Sequence, residues 1–411
     1  MGLVLVVRAA KIVPFLLRVS SMSVSHADLQ TSDAKLRIFI HLAENKDVGR
    51  WKAGFADGSL VGINDDTPYG YGRANALGCT VSFSKAHRET LAGKLLRYGL
   101  RVLLGFDFVH AWRQRREFET ADVIWTHTES QYLAVAAVAR LRGIRTKIVG
   151  QTVWLFDSWN RLSSPKRYLY SLLIKRVDVL TFLSPANMQV ANTLFPDSDL
   201  RLVSFGIPTE TTVAPKVRDQ KPLRILAIGN DRHRDWRTLV DVVKQRPDFA
   251  LTILSGAVPR RLVAGIPNVE VRLAKSTREL TDAFDAASVV CVPLQENLHA
   301  SGITAIQEAV LAGVPVIASD TGGLRHYFSD KEIIYVPSGD RTALMEALLH
   351  VRGEPEEACK MAFRAQERMG PGGLGADAYI HNHVRISHDI LRKGTELQTA
   401  TATAQTVNRL A

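Results

Sequence analysis

Short apolar runs separated by stretches of helical character recur along this chain in two series. In the first, LRIFIHL (36–42), ADVIWTHT (121–128), RTKIVGQTV (145–153) and VDVLTFLSP (177–185) are rich in β-branched and aromatic residues and have the length of buried strands. Between the second and third lies SQYLAVAAVARLRGI, an apolar helix closed by Gly143. This strand–helix–strand rhythm predicts parallel strands in a doubly wound sheet, because a parallel crossover needs a dozen or more residues. The rhythm stops at 206–222, GIPTETTVAPKVRDQKP, where Pro and Thr replace periodicity. It resumes with LRILAIGN, FALTILSG, VEVRLA, ASVVCVPL, VPVIASD and EIIYVPSGD. The expected fold class is α/β, with two Rossmann-like domains joined by a linker.

A chain of 411 residues is too long for one ordinary core, in keeping with two domains. The expected division is an N-terminal extension over 1–34, amphipathic or disordered; a first Rossmann-like domain over 35–209; and a linker over 210–222. A second Rossmann-like domain follows over 223–375, then a C-terminal helix over 376–393 and a disordered Thr/Ala/Gln tail over 394–411. The N-terminus, MGLVLVVRAAKIVPFLLRVSS, is interrupted by Arg8, Lys11 and Arg18 and broken at Pro14. It falls short of the roughly 20 apolar residues of a membrane span and lacks a small-residue cleavage site. Two readings stay open: a basic amphipathic segment on a membrane surface, or a dispensable extension with Met22 as alternative start.

The three cysteines, Cys79, Cys291 and Cys359, have no metal-ligand spacing and point to buried free thiols in a reducing compartment. A net charge of +11 favours an anionic partner: a phosphate ligand, an acidic membrane surface or nucleic acid. The last is set aside, since no nucleic-acid reader motif is present. A dinucleotide is disfavoured too. The first strand is followed by AENKDVGRWK, and YGYGRANALG (69–78) has glycines at the wrong spacing for G-x-G-x-x-G.

The stretch HASGITAIQEAVLAGVPVIASDTGG (299–323) carries the chemistry. A helix starting near Ile303 has unpaired N–H groups and the positive end of its dipole at Gly302, Ile303 and Thr304. With the hydroxyls of Ser301 and Thr304 these can cradle a phosphate. Glu308 lies four residues after Thr304, on the same face, where a ribose diol would sit. The bland alternative is a capped helix with a solvated Glu308. In IGNDRHRDWRTL (228–239), Arg232, His233 and Arg234 fall where a parallel sheet presents its ligand edge, although a solvated basic loop reads the same way. In SDTGGLRHYF (319–328), Gly322 and Gly323 offer a further backbone anion or sugar-hydroxyl site.

Together these segments, over roughly 223–336, resemble the donor domain of GT-B glycosyltransferases, nearest to the large retaining family four. The likeness rests on QEAVLAGVPVIAS and on TRELTDAFDAASVVCVPL (277–294). It implies that the parallel sheets of the two Rossmann-like domains face a central cleft, that Glu308 binds ribose hydroxyls, that Arg234 takes the place of a phosphate-binding Lys, and that Leu273 and Ala274 lie against the base. The family's first motif Glu is here Ala300, which leaves Asn297, His299 or backbone groups, with Gly322 and Gly323, for the donor sugar. His127, at the end of a first-domain strand, resembles an active-site His facing the transferred sugar.

The expected activity is transfer from a UDP- or GDP-sugar to a hydroxyl of a glycan or lipid-linked acceptor, in bacterial exopolysaccharide or surface-polysaccharide synthesis. No cofactor and no metal are expected; adjacent Asp65 and Asp66 read as solvated loop acids. If configuration is retained, no protein nucleophile is needed. If it inverts, His127, Glu129 and Asp107 are the base candidates in that order. Alternatives are a nucleotide-sugar epimerase of the same architecture, or a catalytically weak binding subunit, which Ala300 favours. For the acceptor face, Trp154, Phe156 and Trp159 could stack on sugars. Lys94, Arg97 and Arg101 form a cationic helix stripe beside leucines, read either as a solvated face or as contact with anionic lipid. The expected location is the cytoplasm, peripheral on the inner face of the membrane.

Overall fold

The computed structural model describes residues 35–410. All ten apolar runs become strands. The first sheet contains β1 (Leu36–His41), β2 (Cys79–Phe83), β3 (Val123–Thr126), β4 (Lys147–Thr152), β5 (Val179–Phe182) and β6 (Leu200–Leu202). The second contains β7 (Leu223–Ile228), β8 (Phe249–Leu254), β9 (Val269–Arg272), β10 (Val289–Val292), β11 (Val316–Ser319) and β12 (Ile334–Val336). The two strands not foreseen, β2 and β6, are edges of the first sheet. Both are only partly covered, so CTVSF and LRL mix polar with apolar residues and give no continuous run.

Every pairing is parallel, with orders β2-β1-β3-β4-β5-β6 and β12-β11-β10-β7-β8-β9. In each sheet the chain winds outward one way and then crosses to the other side. The crossing leaves a crevice beside β1 and β3 in the first sheet. In the second, the crevice lies between β7 and β10, paired at Ile225–Val289 and Leu226–Val290. Ligands of open α/β sheets bind in such crevices, beyond the carboxyl ends of the strands. Strand positions within them, such as Ile40, Val123, Trp125, Val290 and Val292, are fully buried. One continuous core includes residues of both sheets, and Leu36–Ala411 form one compact unit.

The helix after β3 spans Glu129–Arg142 and ends at Gly143, whose φ of 66° only glycine adopts freely. Its start is held by the Gln131 side chain, which accepts from the His127 and Thr128 amides at 2.7 and 3.1 Å. Residues of the expected linker pack against helices of the second half. The Val213 amide donates to the Leu311 carbonyl at 2.8 Å, and Arg218 is buried, with Nη1 on the Phe284, Asp285 and Ala287 carbonyls.

The last helix runs over Ala376–Leu410, where an end near 393 and a disordered tail were expected. Ala, Gln, Glu and Leu are good helix formers, and Gly394 alone costs only about 1 kcal/mol. Its first half returns to the first sheet: Trp125 Nε1 donates to Ser387 Oγ at 2.8 Å and Tyr379 OH to Gln151 Oε1 at 2.5 Å. Among the described residues no helix is long and apolar enough to cross a membrane. The expected N-terminal extension lies outside the described residues.

Candidate active site

The loops after β7 and β10 meet over the second crevice. The Asp235 amide donates to the Pro293 carbonyl at 3.0 Å, and the Gln295 amide to the His233 carbonyl at 2.8 Å. This stitching carries Arg234 inward. Its side chain is buried, lying against the backbone of Gly229 (φ 125°) and of Gly302 (φ 84°). A Cβ on Gly302 would stand 2.6 Å from Nη1, so both glycines are required by the guanidinium. Arg234 Nε and Nη1 have no hydrogen-bond partner among the described residues. Burial pushes the Arg234 pKa down to about 10, against the attraction of Asp231.

Gly302 caps the helix Ile303–Leu311. The Ile303 amide, expected to serve the cradle, donates instead to the Ala300 carbonyl at 3.2 Å. The amides of Gly302 and Thr304 remain, and the Ser301 hydroxyl is buried and unpartnered. A buried cation without a partner and an open helix N-terminus thus face the same spot. Each is costly or unsatisfied alone, and one anion would satisfy both.

One turn further in, Glu308 is buried. Its Oε1 accepts the Ile63 amide at 3.0 Å, and Gly62, with φ 118°, admits this close approach. Burial pushes the Glu308 pKa up to about 7, opposed by the Ile63 hydrogen bond. The same first-sheet loop is tied across the cleft by Thr277 Oγ1 to the Leu60 carbonyl at 3.0 Å. Leu273 is exposed beyond β9 beside Gly256, and Ala274 packs on the core.

Several expected residues are spent differently. Arg232 is exposed. The Asn297 amide builds its own loop: Oδ1 accepts the His299 and Ser301 amides, and Nδ2 donates to the Gln295 carbonyl at 3.0 Å. Gly322 sits against Asn297 and Ala300, and Gly323 against Ser184 and Pro185 of the first half, so the glycine pair is a packing joint. Ala300, where the family's first Glu would fall, is buried at φ 53°. His299 is buried, with Nδ1 2.7 Å from Asp157 Oδ2 and Nε2 3.3 Å from Asp231 Oδ2. Although burial opposes its charge, these hydrogen bonds hold His299 above the usual histidine pKa.

On the first sheet, His127 is half-buried, with one ring face taken. Tyr69, held at φ 57°, stacks on its ring at 3.4 Å, and Tyr71 OH lies 3.0 Å from Nδ1. Burial pushes the His127 pKa down to about 3. Glu129 is no free base, since its Oε2 accepts the Val153 and Trp154 amides at 3.1 and 3.2 Å. Asp107 caps a helix through the His110 amide and pairs with Arg97 at 2.6 Å. Asp65 pairs with Arg73, while Asp66 is exposed.

Arg97 does not share a face with Lys94 and Arg101. It is buried among Glu89 and Asp107, while Lys94 and Arg101 are exposed. The outward side of this Leu91–Leu104 helix is apolar instead: Leu91, Leu95 and Val102 are 83%, 74% and 78% exposed. Trp154 is 39% exposed, its ring 6.1 Å from that of His299. Phe156 and Trp159 are buried core.

Sequence reasoning missed four residues that shape the site: Ile63, Tyr69, Asp157 and Asp231. Only Asp157 and Asp231 left a trace in the sequence, each an acid in the loop just after a strand.

Against known structures, sucrose-phosphate synthase from Thermosynechococcus elongatus aligns with a TM-score of 0.66 at 19% identity, over 87% of this chain and 100% of that one. The fold is GT-B. Anabaena HepE, solved in complex with UDP-glucose, shares it with a TM-score of 0.61 at 12% identity, over 86% of this chain and 99% of that one. So does the lipopolysaccharide outer core galactosyltransferase WaaB, with a TM-score of 0.54 at 12% identity, over 87% and 100%. At these identities the likeness is one of fold alone. Within the GT-B chain, residues 211–352 match the family described as Glycosyl transferases group 1. No curated protein matches.

Proposed function

We propose that this GT-B chain transfers a sugar from a nucleoside-diphosphate donor, of the UDP type, to a hydroxyl of a glycan or lipid-linked acceptor in bacterial surface-polysaccharide or exopolysaccharide assembly. The observation that carries the reading is Arg234: a buried guanidinium with two unpartnered nitrogens, set against the open start of the Ile303–Leu311 helix at the switch point of the second sheet. A leaving diphosphate supplies the missing anion. Charge developing on it in the transition state is stabilised by Arg234 and the Gly302 and Thr304 amides. Glu308 accepts the ribose hydroxyls once the Ile63 amide is displaced. HepE, of the same fold, was solved with UDP-glucose, which supports a uridine nucleotide. Retention of configuration follows the likeness to family four and requires no base, in keeping with Glu129 and Asp107 being occupied. Incubating the chain with a panel of nucleotide-sugars, with and without acceptor glycans, tests the reading. Product formed only with acceptor supports it; a sugar altered without acceptor makes the chain an epimerase.

The acceptor side is proposed to meet an anionic membrane through the apolar outward face of the Leu91–Leu104 helix, with Lys94 and Arg101 at its flank. Each cation near anionic lipid contributes about 1 kcal/mol within a Debye length of about 8 Å. In the chain starting at Met22, Lys94→Gln with Arg101→Gln should weaken sedimentation with anionic vesicles roughly 30-fold, and salt should do the same to the parent. Equal binding to neutral and anionic vesicles, or to neither, sinks this part.

A further inference from the structure

The loops that frame Arg234 also gather three side chains of metal-ligand type. Asp231 and His233 stand on the loop after β7 and His299 on the loop after β10, and one ligand atom from each lies within 4.8 Å of the others. His233 Nδ1 is 3.0 Å from Asp231 Oδ1, and His299 Nε2 is 3.3 Å from Asp231 Oδ2. Two ligand atoms each bonded at about 2.1 Å to one ion, at right or tetrahedral angles, stand about 3.0–3.4 Å apart. The two imidazoles meet different oxygens of Asp231, at distances compatible with a shared cation as well as with hydrogen bonds.

A second observation concerns the far side of His299. Its Nδ1 meets Asp157 Oδ2 at 2.7 Å, and the other oxygen of Asp157 accepts the Leu298 amide at 2.7 Å. Asp157 is thus pinned and accepts a hydrogen bond from Nδ1–H. A carboxylate on one ring nitrogen fixes the tautomer in which the other nitrogen presents a lone pair, the arrangement that supports metal-bound histidines. Nε2 is the nitrogen that faces Asp231, so a cation bound there takes the place of its proton. Asp157 comes from the first half of the chain and Asp231 from the second, so the arrangement exists only with the cleft assembled.

We propose that Asp231, His233 and His299 bind one divalent cation of the zinc class, with Asp157 orienting His299. Two imidazoles and a carboxylate suit zinc better than magnesium, which prefers oxygen ligands. Three protein ligands leave a coordination position for an outside ligand. The site adjoins the anion cradle, since His233 and Arg234 are neighbours in the chain. Cation binding is independent of the transferase reading, so the failure of either leaves the other standing.

The full chain, stripped with a chelator, is titrated with Zn2+ and in parallel with Mg2+, the bound metal being counted by elemental analysis. Co2+ serves as a spectroscopic probe. One Zn2+ per chain, no Mg2+, and intense Co2+ visible bands of a four- or five-coordinate centre are expected. His299→Ala and Asp231→Asn should each bind Zn2+ at least tenfold more weakly, and Asp157→Asn should bind it with intermediate affinity. Absence of stoichiometric Zn2+ overturns the site. So does Zn2+ retained in full by both ligand variants, which would place it elsewhere on a chain with 12 histidines. Should a variant fail to fold, the wild-type Co2+ spectrum decides alone: weak bands of a six-coordinate, water-like centre contradict the site.

Discussion

Arg234→Ala is expected to lower sugar transfer on the order of 100- to 1,000-fold, with most of the loss in kcat. The guanidinium is buried against Gly229 and Gly302 with Nε and Nη1 unpartnered, so its desolvation is met only when an anion arrives. Removing one preorganised donor to a developing charge typically costs about 3–4 kcal/mol of transition-state stabilisation. The fold should survive, because no carboxylate is left unpaired when Arg234 is removed. Arg234→Lys should recover only part of the loss, since an ammonium keeps the charge but not the fork. Steady-state kinetics separate the cases. A pure KM effect would confine Arg234 to ground-state binding, and unchanged kinetics would move the diphosphate elsewhere.

Glu308→Gln should act on stability and on binding in opposite directions. The folded-state pKa of Glu308 is about 7, above the ordinary glutamate value of 4.5, because the carboxyl is buried. A raised folded pKa means that the folded state holds its proton longer. The stability linked to that proton is present in full below about pH 4 and is lost as pH rises through about 7. The loss is on the order of 3 kcal/mol, at about 1.4 kcal/mol per pH unit. Gln carries no such penalty, and its amide oxygen can still accept the Ile63 N–H. The variant should therefore gain Tm over wild type at pH 8 and match it near pH 4. Nucleotide affinity should fall on the order of 10- to 100-fold, because a carboxylate accepts both ribose hydroxyls with charge assistance. For the wild type, affinity should rise with pH up to about 7, with protons released on binding, read as a buffer-dependent enthalpy in calorimetry. A pH-independent Tm difference and unchanged affinity would make Glu308 a structural residue only.

The two parallel-sheet halves could be read in the sequence because parallel strands buried on both faces need continuous apolar runs, while GT-B came from the motif resemblance. VPVIAS and ASVVCV leave no room for another reading, and Gly143 marks its helix end plainly. The edges could not be read, since half-covered strands such as CTVSF lack that signature. Within the site, Glu308 and the Gly302 helix start were legible because their geometry is local to one helix. The Ile63 cap on Glu308 joins residues 245 positions apart and left no local signal. Arg97 misled for a related reason. Its spacing from Lys94 and Arg101 suggests a stripe, but Glu89 and Asp107 turn it inward. Those acids lie within ten residues of it and were the available warning. His127 was placed correctly at the end of β3, but its cover by Tyr69 depends on a backbone at φ 57° that composition does not announce.

A crystal structure of the wild-type chain soaked with UDP tests the donor site most directly. The diphosphate should lie within hydrogen-bond reach of Arg234 Nε or Nη1 and of the Gly302 and Thr304 amides, with the ribose hydroxyls on Glu308 in place of the Ile63 amide. Nucleotide bound elsewhere, or a crevice between β7 and β10 that stays free of it at saturating UDP, would contradict the assignment.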